Sequence, residues 1–516
     1  MIERMSDPLL MGLDIGTTHC KAVVYTPEGK QIGMGRARTP TIVPAPGLAE
    51  YAPDELWRVI VGVIRDALSQ TEAAGRDPRD IAGLAVASMG EAGVLLDEAD
   101  EPCSVMMSWH DTRTLEENRW WMETFGGRRV FGITGLTPQP NFTMAKLLWI
   151  RRHHPESTAC AVRWLHIADW VAYRLTGAAA TDPSMASRSM GFDLRTRDWS
   201  PELFEAAEIP ISLMPPIVPA GSVIGHVTPN AAALTGLAAG TAVAAGGHDH
   251  LCGAFGVGAT HVGQVLNSMG TAEALLMVLP LPPLTDKMYA SRVHLGAHTA
   301  PNVYYTIGGL PASGATLEWA CNLITPDLPR EQGYRRLNDL AEGVAPGSLG
   351  ATFLAHLRGA GPPYSDPIAR GAFIGLTVST GPAEMARAVF EGMAYTWRTA
   401  LDNIENTTGE LVRDITVIGG GARNRVWVQV KADVAAQPLH VVEVEEGTAW
   451  GAAALAGVGV GVFRDAEDVT AHARFARRTV EPDPARSERY QRLYHEIYGP
   501  LYGLLKDVHH RLRHID

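Results

Sequence analysis

The hydrophobic pattern of the first hundred residues predicts β-strands followed by a helix. Residues 9–15 form an apolar run that ends in a Gly-Thr-Thr turn, and residues 21–26 alternate as a returning strand does. From Pro53 onward the period becomes helical, with one apolar face made of Leu56, Ile60, Val63, Ile64 and Leu68. Buried-type strands over residues 81–87 and 93–96 follow, so the alternation of strands and helices indicates an α/β protein.

The first strand and its turn have a counterpart in the middle of the chain. There, residues 262–266 form an apolar strand that runs into Asn267-Ser268-Met269-Gly270-Thr271, and residues 274–279 form a returning one. The Gly-Thr turns at Gly16 and Gly270 are 254 residues apart, almost half of the chain. Glycine turns between strands are common, but this spacing predicts two similar halves with a cleft between them.

The second half continues with Gly-rich junctions between strands and helices. A strand over residues 306–309 precedes Ser313-Gly314, which enters a helix, and a strand over residues 415–418 runs into Gly419-Gly420-Gly421. Amphipathic and Gly/Ala-rich helices are predicted over residues 424–436 and 448–456. The charged tail, residues 484–516, is predicted to be helical and to lie along the surface.

Composition narrows the class of protein. A chain of 516 residues suggests two to four domains, and 46% hydrophobic with 19% charged residues is typical of a globular protein. The 44 basic and 56 acidic residues give a net charge of −12, which argues against a large nucleic-acid surface. No nucleic-acid partner is therefore expected.

Cysteine usage and segment hydropathy predict a cytoplasmic protein. The five cysteines are scattered and form no CxxC pair, so neither a disulfide framework nor a structural zinc site is expected. Residues 1–8 lack the apolar core of a signal peptide, and no run of about 18 uncharged apolar residues occurs. We therefore expect no membrane partner.

Two turns and a glycine triple have the features of a nucleotide site. In the first turn, Gly16 lets the backbone approach an anion, Thr17 and Thr18 offer hydroxyls and amides, and Asp14 could hold Mg²⁺ through water. The turn at Gly270 and Thr271 could grip the same polyphosphate from the other half. The junction after residue 418 suits close approach to a nucleotide, with its base or ribose reached by Asn424. The candidate nucleotide contacts at this junction are Gly420, Gly421 and Asn424. The structural alternatives are an ordinary hairpin for the first turn and tight packing for the glycine triple.

Other nucleotide-binding motifs are absent from the sequence. There is no GxxxxGK[ST], so the chain is not a P-loop enzyme, and neither HRD nor DFG occurs, which excludes a protein kinase. No GxGxxG follows a strand and opens a helix, so a dinucleotide site is not favoured.

The segment His248-Asp249-His250 is the most informative candidate for catalysis. It follows an apolar strand over residues 241–245, and an Asp at a strand end is well placed to take a proton from an attacking hydroxyl. Metal binding by all three side chains is the second hypothesis, although in an extended segment the imidazoles and the carboxylate point to opposite sides. A plain polar loop is the third.

These segments resemble the FGGY family of carbohydrate kinases over roughly residues 9 to 465. The C-terminal signature is matched by residues 371–376 (GAFIGL) together with residues 384–391 (EMARAVFE). The N-terminal signature is matched by residues 143–153 (TMAKLLWIRRH), and only its first position, Asn141, departs. Residues 109–114 (WHDTRT) are similar to the Trp-x-Asp-x-Arg-Thr stretch of the family.

The resemblance implies an α/β fold with two actin-like (ribonuclease H-like) ATPase domains around a central cleft. The implied units are a sugar-binding domain with the catalytic base (residues 9–258), a nucleotide-binding domain (259–480) and a helical extension (481–516). ATP and Mg²⁺ are the implied cofactors, with Asp249 as general base and with Asp14 and Asp249 associated with the metal. The implied nucleotide contacts are Gly16, Thr17, Thr18, Gly270, Thr271, Gly314, Gly420, Gly421 and Asn424.

The acceptor is expected to be a small sugar or polyol, and a ketopentose such as xylulose is favoured. The residues expected to contact it are Glu91, Trp109, Asp111, Arg113, His248 and His250. Xylulokinases carry Gln-Met-His-Gly before the next strand and glycerol kinases carry Gln-Arg-Glu-Thr, whereas this chain has Met89-Gly90-Glu91-Ala92. Glycerol, erythritol-type polyols and aldonates therefore stay open as acceptors.

Two functions of other classes also stay open. A non-catalytic actin-like ATPase or sensor would share the phosphate turns but would need neither Asp249 nor a sugar pocket. A metal hydrolase would instead use His248 and His250 as ligands. A homodimer is left open as well, because many members of the family are dimers and the sequence identifies no interface.

Overall fold

The computed structural model describes residues 7–513 and 515, and two mixed β-sheets organise them. The strands of the first sheet, in chain order, are Leu9–Ile15 (β1), His19–Tyr25 (β2), Gln31–Arg38 (β3), Ile81–Ser88 (β4), Val223–His226 (β5) and Ala242–His248 (β6). The strands of the second sheet are Gln264–Met269 (β7), Glu273–Leu279 (β8), His294–Ala297 (β9), Tyr304–Leu310 (β10), Asp414–Ile418 (β11), Leu439–Val442 (β12) and Arg477–Val480 (β13).

The two sheets share one strand order. The first is arranged β3-β2-β1-β4-β6-β5, and the second is arranged β9-β10-β8-β7-β11-β12-β13. In each sheet the second strand of a hairpin pairs antiparallel with a third strand on one side. On the other side the first strand of the hairpin pairs parallel with a later strand, which in turn pairs parallel with another. The predicted α/β fold with two related halves is therefore confirmed, and the repeated turns occupy equivalent positions in the two hairpins.

Long helices cover both sheets. In chain order they are Pro53–Ala73 (α1), Thr143–His153 (α2), Ile167–Thr176 (α3), Asp249–Val257 (α4), Gly314–Ile324 (α5), Pro382–Thr408 (α6), Arg425–Ala435 (α7), Gly447–Gly459 (α8), Pro484–Leu493 (α9) and Gly499–Arg513 (α10). Helix α1 buries the apolar face that the sequence predicts, including Ile60 and Ile64. Helix α6 ends at Gly409, whose φ of 79° is the left-handed conformation that favours glycine.

Shorter elements connect these units. The short strands are Thr41–Ile42, Glu50–Tyr51, Gly93–Leu96, Met106–Met107, Arg163–His166, Phe192–Asp193, Asp198–Trp199, Thr352–Leu354 and Ala372–Ile374. The other α-helices are Leu115–Trp120, Gly127–Thr134, Pro155–Cys160, Pro183–Ser187, Pro201–Ala207, Pro229–Thr235, Asp286–Ala290, Arg330–Glu342 and Ala466–His472. The 3₁₀ turns are Pro78–Asp80, Ile211–Leu213, Ser348–Gly350 and Gly420–Arg423, and the π turns are Trp121–Gly126 and Tyr494–Tyr498. None of the helices within residues 7–513 combines the length and the apolar character that crossing a lipid bilayer demands.

Helix α8 joins the two halves by packing on the sheet of the first one. It lies against β1, β4 and α4, and glycines allow the approach. A Cβ at Gly12 would lie 1.8 Å from the carbonyl oxygen of Ala449, and a Cβ at Gly451 would lie 1.7 Å from that of Cys252. The backbones are therefore in direct contact at these points, where no larger side chain fits.

The tail is helical as predicted from Pro484 to Arg513, while residues 514 and 516 lie outside the described residues. Tyrosines attach it to the second half. Tyr490 and Tyr498 are buried, and the Tyr490 hydroxyl donates to Glu391 Oε1 of α6 at 2.8 Å. The tail therefore packs through one apolar side while its charged residues remain at the surface.

The mid-chain turn is shorter than the sequence suggests. Asn267, Ser268 and Met269 are predicted as part of the turn, but they belong to β7, and only residues 270–272 form the connection to β8. The physical reason is that the Asn267 side chain is buried and donates to Glu273 Oε1 at 2.7 Å, which compensates for its polarity within the strand.

A buried histidine between β9 and β10 gives the fold a testable pH dependence. His298 is 1% exposed, and burial lowers its pKa to about 3, an effect that a backbone contact with Ala259 only partly opposes. The unfolded chain therefore binds one more proton than the folded chain between the ordinary pKa of 6.5 and pH 3, so this residue makes stability fall as the pH falls below 6.5.

Replacing His298 with Asn should reduce the loss of stability in acid. The amide oxygen can still accept the Ala300 amide that His298 Nδ1 accepts at 2.9 Å, but it takes up no proton. Between pH 7.5 and pH 5, we expect the variant to lose about 2 kcal/mol less unfolding free energy than the wild type. Urea denaturation at the two pH values measures this, and an equal loss in both proteins would contradict the prediction.

Candidate active site

The first turn presents its residues to the cleft from the β1–β2 hairpin. The Gly16 amide donates to the His19 carbonyl at 3.0 Å, and the hydroxyl of Thr39 donates to the Gly16 carbonyl at 2.6 Å. Thr17 is half-buried and Thr18 is exposed, so their hydroxyls and amides are accessible. The indole of Trp109 donates to Thr17 Oγ1 at 2.8 Å, which brings a predicted sugar contact against a predicted phosphate contact.

The second turn lies at the same place in the other half. Gly270 and Thr271 are exposed, and their carbonyls accept backbone amides from the start of α5, including Gly314 N at 3.0 Å. A Cβ at Gly314 would lie 2.7 Å from the Gly270 carbonyl oxygen, so this glycine allows α5 to meet the turn. The Gly270 amide donates to the Ala272 carbonyl at 3.0 Å, so the turn is also closed by a bond of its own.

The glycine triple packs beside the second turn. A Cβ at Gly419 would lie 2.7 Å from the Met269 carbonyl oxygen, and one at Gly421 would lie 2.8 Å from Met269 Cβ. A Cβ at Gly420, in contrast, would meet nothing within 4 Å, and Gly420 borders a cavity of about 270 Å³. The structural role of tight packing thus applies to two of the glycines, while the third faces open space.

Asn424 has partners of its own. Its Oδ1 accepts the Trp427 amide at 3.0 Å, so it caps α7, and its Nδ2 donates to Asn338 Oδ1 at 2.8 Å. A contact between Asn424 and a base or ribose stays a prediction, and it would have to share a side chain that already caps a helix.

Asp14 connects the two halves through Lys21. The two residues face each other across the β1–β2 hairpin, with Lys21 Nζ 3.5 Å from Asp14 Oδ2 and 2.5 Å from Glu446 Oε2 of the second half. Burial raises the pKa of Asp14 to about 7, Asp249 and Glu446 add to the rise, and Lys21 opposes it. Asp14 of β1 and Asp249 of α4 are thus near enough for their charges to interact.

Asp249 is the first residue of α4, directly after β6. The strand continues to His248 before the helix begins, so the segment is not extended throughout as the sequence suggests. The imidazole of His248 lies 3.2 Å from Asp249 Oδ1, and the rings of His248 and His250 have centroids 5.6 Å apart. Asp249 Oδ1 also accepts the His250 amide at 2.7 Å.

The electrostatics of this segment favour an ionised Asp249. Burial works to raise its pKa, but His248, His250 and the His250 amide together hold the pKa below its ordinary value. Burial lowers the pKa of His248 to about 4, so that imidazole is neutral at neutral pH. Asp249 can therefore accept a proton from a hydroxyl held beside it.

The residues around Asp14 and Asp249 fit a magnesium ion better than a transition metal. Mg²⁺ is usually bound by one or two carboxylates together with water and phosphate oxygens. Asp14 and Asp249 could supply these carboxylates. Within residues 7–513 and 515, no three His, Cys, Asp or Glu side chains are arranged to hold one ion. His248 and His250 thus lack the third ligand that the metal-hydrolase hypothesis requires.

Glu91 lies in the same region and is held by a cation that the sequence did not suggest. It is 3% exposed with a φ of 65°, and Arg188 Nε donates to its Oε1 at 2.7 Å. Gly90 faces His248, because a Cβ there would lie 2.9 Å from the imidazole. Lys146 Nζ donates to the Glu91 carbonyl at 2.9 Å, so the strained backbone is fixed from two sides.

Asp111 and Arg113 bind each other. The Asp111 carboxylate is buried and accepts Arg113 Nε at 2.9 Å and the Ala49 amide at 2.8 Å, and Arg113 Nη2 also donates to Glu50 Oε2 at 2.8 Å. This network supports the segment that carries Trp109, which is 42% exposed. Direct contact of Asp111 or Arg113 with a sugar stays a prediction.

Sequence reasoning missed three residues of the site: Lys21, Arg188 and Glu446. Lys21 could have been found, because a hairpin closed at Gly16 and Thr17 places it opposite Asp14. No sequence signal indicated Arg188 or Glu446, which reach the site through tertiary packing alone.

The whole chain matches known carbohydrate kinases. Residues 9–256 match the N-terminal domain, and residues 265–460 the C-terminal domain, of the FGGY family of carbohydrate kinases. A xylulose kinase of Bacillus subtilis (strain 168) is 27% identical over 504 residues, 98% of each chain. Glycerol kinase 2 of Saccharolobus solfataricus is 27% identical over 472 residues, 90% of this chain and 91% of the relative.

A solved structure shows the same architecture. The xylulose kinase from Rhodospirillum rubrum superimposes with a TM-score of 0.87 at 30% identity and covers 97% of this chain and 100% of its own. The fold is therefore common to both proteins, and the chain belongs to the FGGY family of carbohydrate kinases.

Proposed function

We propose that this ATP-dependent carbohydrate kinase transfers the γ-phosphoryl group of MgATP to a hydroxyl of a ketopentose such as xylulose. The observation that carries the proposal is the position of Asp249, an accessible carboxylate directly after β6 that is near enough to Asp14 and Arg188 for their charges to interact. The xylulose kinases among the relatives support this acceptor.

In the proposed mechanism Asp249 accepts the proton of the attacking hydroxyl. The lowered pKa of Asp249 keeps its carboxylate ionised. The imidazole of His248 is neutral, so it can donate a hydrogen bond to the sugar or accept one from it. His250, whose amide donates to Asp249 Oδ1, fixes the direction of the carboxylate. The transfer is a direct in-line displacement that needs no covalent intermediate.

The polyphosphate would lie between the two turns. Thr17 and Thr18 offer donors from the first half, and Thr271 offers them from the second, where the Gly270 amide already donates to the Ala272 carbonyl. Asp14 and Asp249 would hold Mg²⁺, which when bound neutralises charge on the phosphate oxygens. Lys21 is near enough to Asp14 to add a positive charge at the same point.

The charge of the acceptor pocket favours a neutral sugar. Arg188 is the cation nearest to Glu91, and the two form a buried ion pair. An aldonate would need a free cation for its carboxylate, whereas the guanidinium here is already engaged. Neutral acceptors, including glycerol and erythritol-type polyols, bring no charge that would need a cation.

A screen of acceptors tests the proposal. ADP release from MgATP would be measured with D-xylulose, glycerol, erythritol and gluconate, and we expect the largest kcat/KM with D-xylulose and no stimulation by gluconate. A preference for gluconate would contradict the pocket assignment. ATP hydrolysis that none of the acceptors changes would instead favour the ATPase or sensor. A homodimer and a cytoplasmic location remain predictions.

A further inference from the structure

A buried ion pair lies directly behind the turn formed by residues 270–272. Lys431 of α7 contacts Glu273 Oε1, and neither side chain is exposed to solvent. The Lys431 ammonium also donates to Asn267 Oδ1 at 3.1 Å. It lies about 5 Å from the centres of two indole rings, at 4.9 Å from Trp397 and 5.0 Å from Trp427.

Glu273 extends this contact to the start of α5. Its Oε2 accepts the Ser313 hydroxyl at 2.8 Å, and the Ser313 amide donates to the Thr271 carbonyl at 3.0 Å. Ser313 occupies the N-cap position of α5, yet its hydroxyl makes no capping bond. Serine at this position usually caps its helix, so the hydroxyl here serves Glu273 instead. One carboxylate thus holds the turn, the strand and the helix together.

A gain in folding stability does not explain why two charged residues, Lys431 and Glu273, are buried here. Removing two charges from water is costly, and well-packed apolar residues are often no less stable. Burial lowers the pKa of Lys431, against the effect of Glu273, so the ammonium depends on that carboxylate. The pair also fixes the relative positions of its neighbours, because the Glu273 carboxylate accepts hydrogen bonds from three separate elements.

We propose that Glu273 is a positioning residue that holds the residue 270–272 turn and Ser313 in the geometry required for gripping the nucleotide phosphates, and that Lys431 balances its buried charge. The inference rests on the proposed function, in which this turn contacts the polyphosphate. Donors that are fixed before binding lose little freedom when the ligand arrives, so a rigid turn binds phosphate more tightly than a mobile one.

Two charge-free double variants separate positioning from general stability. Lys431→Met with Glu273→Gln keeps an acceptor for Ser313, whereas Lys431→Met with Glu273→Leu removes it. We expect the Gln variant to bind MgADP close to the wild-type Kd, and the Leu variant to bind it about tenfold more weakly. In turnover assays the KM for ATP should follow the same order, while the KM for the acceptor stays unchanged.

Ser313→Ala is the second test, because it removes only the hydroxyl and leaves both charges paired. It should weaken MgADP binding in the same direction with little change in melting temperature. The matched control is Arg387→Met, which breaks another buried ion pair of the second half, with Glu391 at 3.0 Å. Arg387 also donates to the hydroxyl of Tyr490 in the tail. This control should lower the melting temperature and leave the Kd for MgADP unchanged.

Titration calorimetry of MgADP with the full-length protein gives the decisive comparison. Equal Kd values for the Leu variant and the wild type would overturn the inference while leaving the kinase assignment intact. The same holds if Arg387→Met weakens binding as much as the Leu variant, since loss of stability would then explain both. A wild-type chain that binds no nucleotide would overturn the proposed function, and this inference with it.

Discussion

Asp249→Asn is expected to lower kcat by roughly 10²- to 10⁴-fold, the usual contribution of a positioned general base. Asparagine keeps the shape of the side chain, and its oxygen can still accept the His250 amide, which Asp249 accepts at 2.7 Å. It cannot accept the proton of the attacking hydroxyl. The measurement is acceptor-dependent ADP release under saturating MgATP, together with the Kd for ADP, which should change little.

Asp433→Asn is the matched control for this experiment. Asp433 is a fully buried carboxylate of α7 that accepts Gln429 Nε2 and the Asp483 amide, each at 2.8 Å, among residues that belong to neither turn. We expect its kcat to stay near that of the wild type. Near-normal turnover of the Asp249 variant would rule out this residue as the base.

Gly451→Ala is expected to cause the largest loss of stability. A Cβ there would lie 1.7 Å from the Cys252 carbonyl oxygen and 2.3 Å from its carbon, both in the backbone of α4. The methyl group cannot be accommodated by a rotamer change, because the obstacle is backbone, so α4 and α8 must separate. Overpacking of a core typically costs about 1–3 kcal/mol, and we expect at least about 3 kcal/mol here.

Gly503→Ala provides the comparison for that substitution. Gly503 is exposed in α10 and has nothing within 4 Å of its Cβ position. Alanine should stabilise the helix by up to about 1 kcal/mol, the ordinary difference between the two residues in a helix. Urea midpoints of both variants and the wild type test the pair. A Gly451 variant as stable as the wild type would show that the contact between α4 and α8 can relax.

The repeated architecture was predictable because it depends on local pattern. The Gly-Thr turns at Gly16 and Gly270 mark equivalent hairpins, and apolar runs indicate the strands on either side of them. The position of Asp249 after a strand was also predictable, since the apolar run over residues 241–245 ends just before it. Both features are encoded within short stretches of sequence, where hydrophobic period and turn chemistry act.

The rest of the site could not be predicted, because it is formed by tertiary contacts. Arg188 contacts Glu91 although it lies 97 positions later in the chain, and Lys431 contacts Glu273 although 158 positions separate the two residues. The sequence predicts a turn at Asn267 because the apolar run of the strand ends at residue 266, and asparagine also favours turns. Burial of its amide against Glu273 outweighs that preference, and the strand continues to Met269.

The packing of α8 has a consequence for the synthesis of the chain. The face of the first sheet that carries Gly12 and Gly83 is covered by residues 447–460 of the second half. The last strand of that sheet ends at His248, and helix α8, which covers this face, leaves the ribosome roughly 200 residues later. At ordinary elongation rates this delay is about 10 to 40 s. Throughout that interval the nascent first half presents a bare sheet face, and only the finished second half closes it.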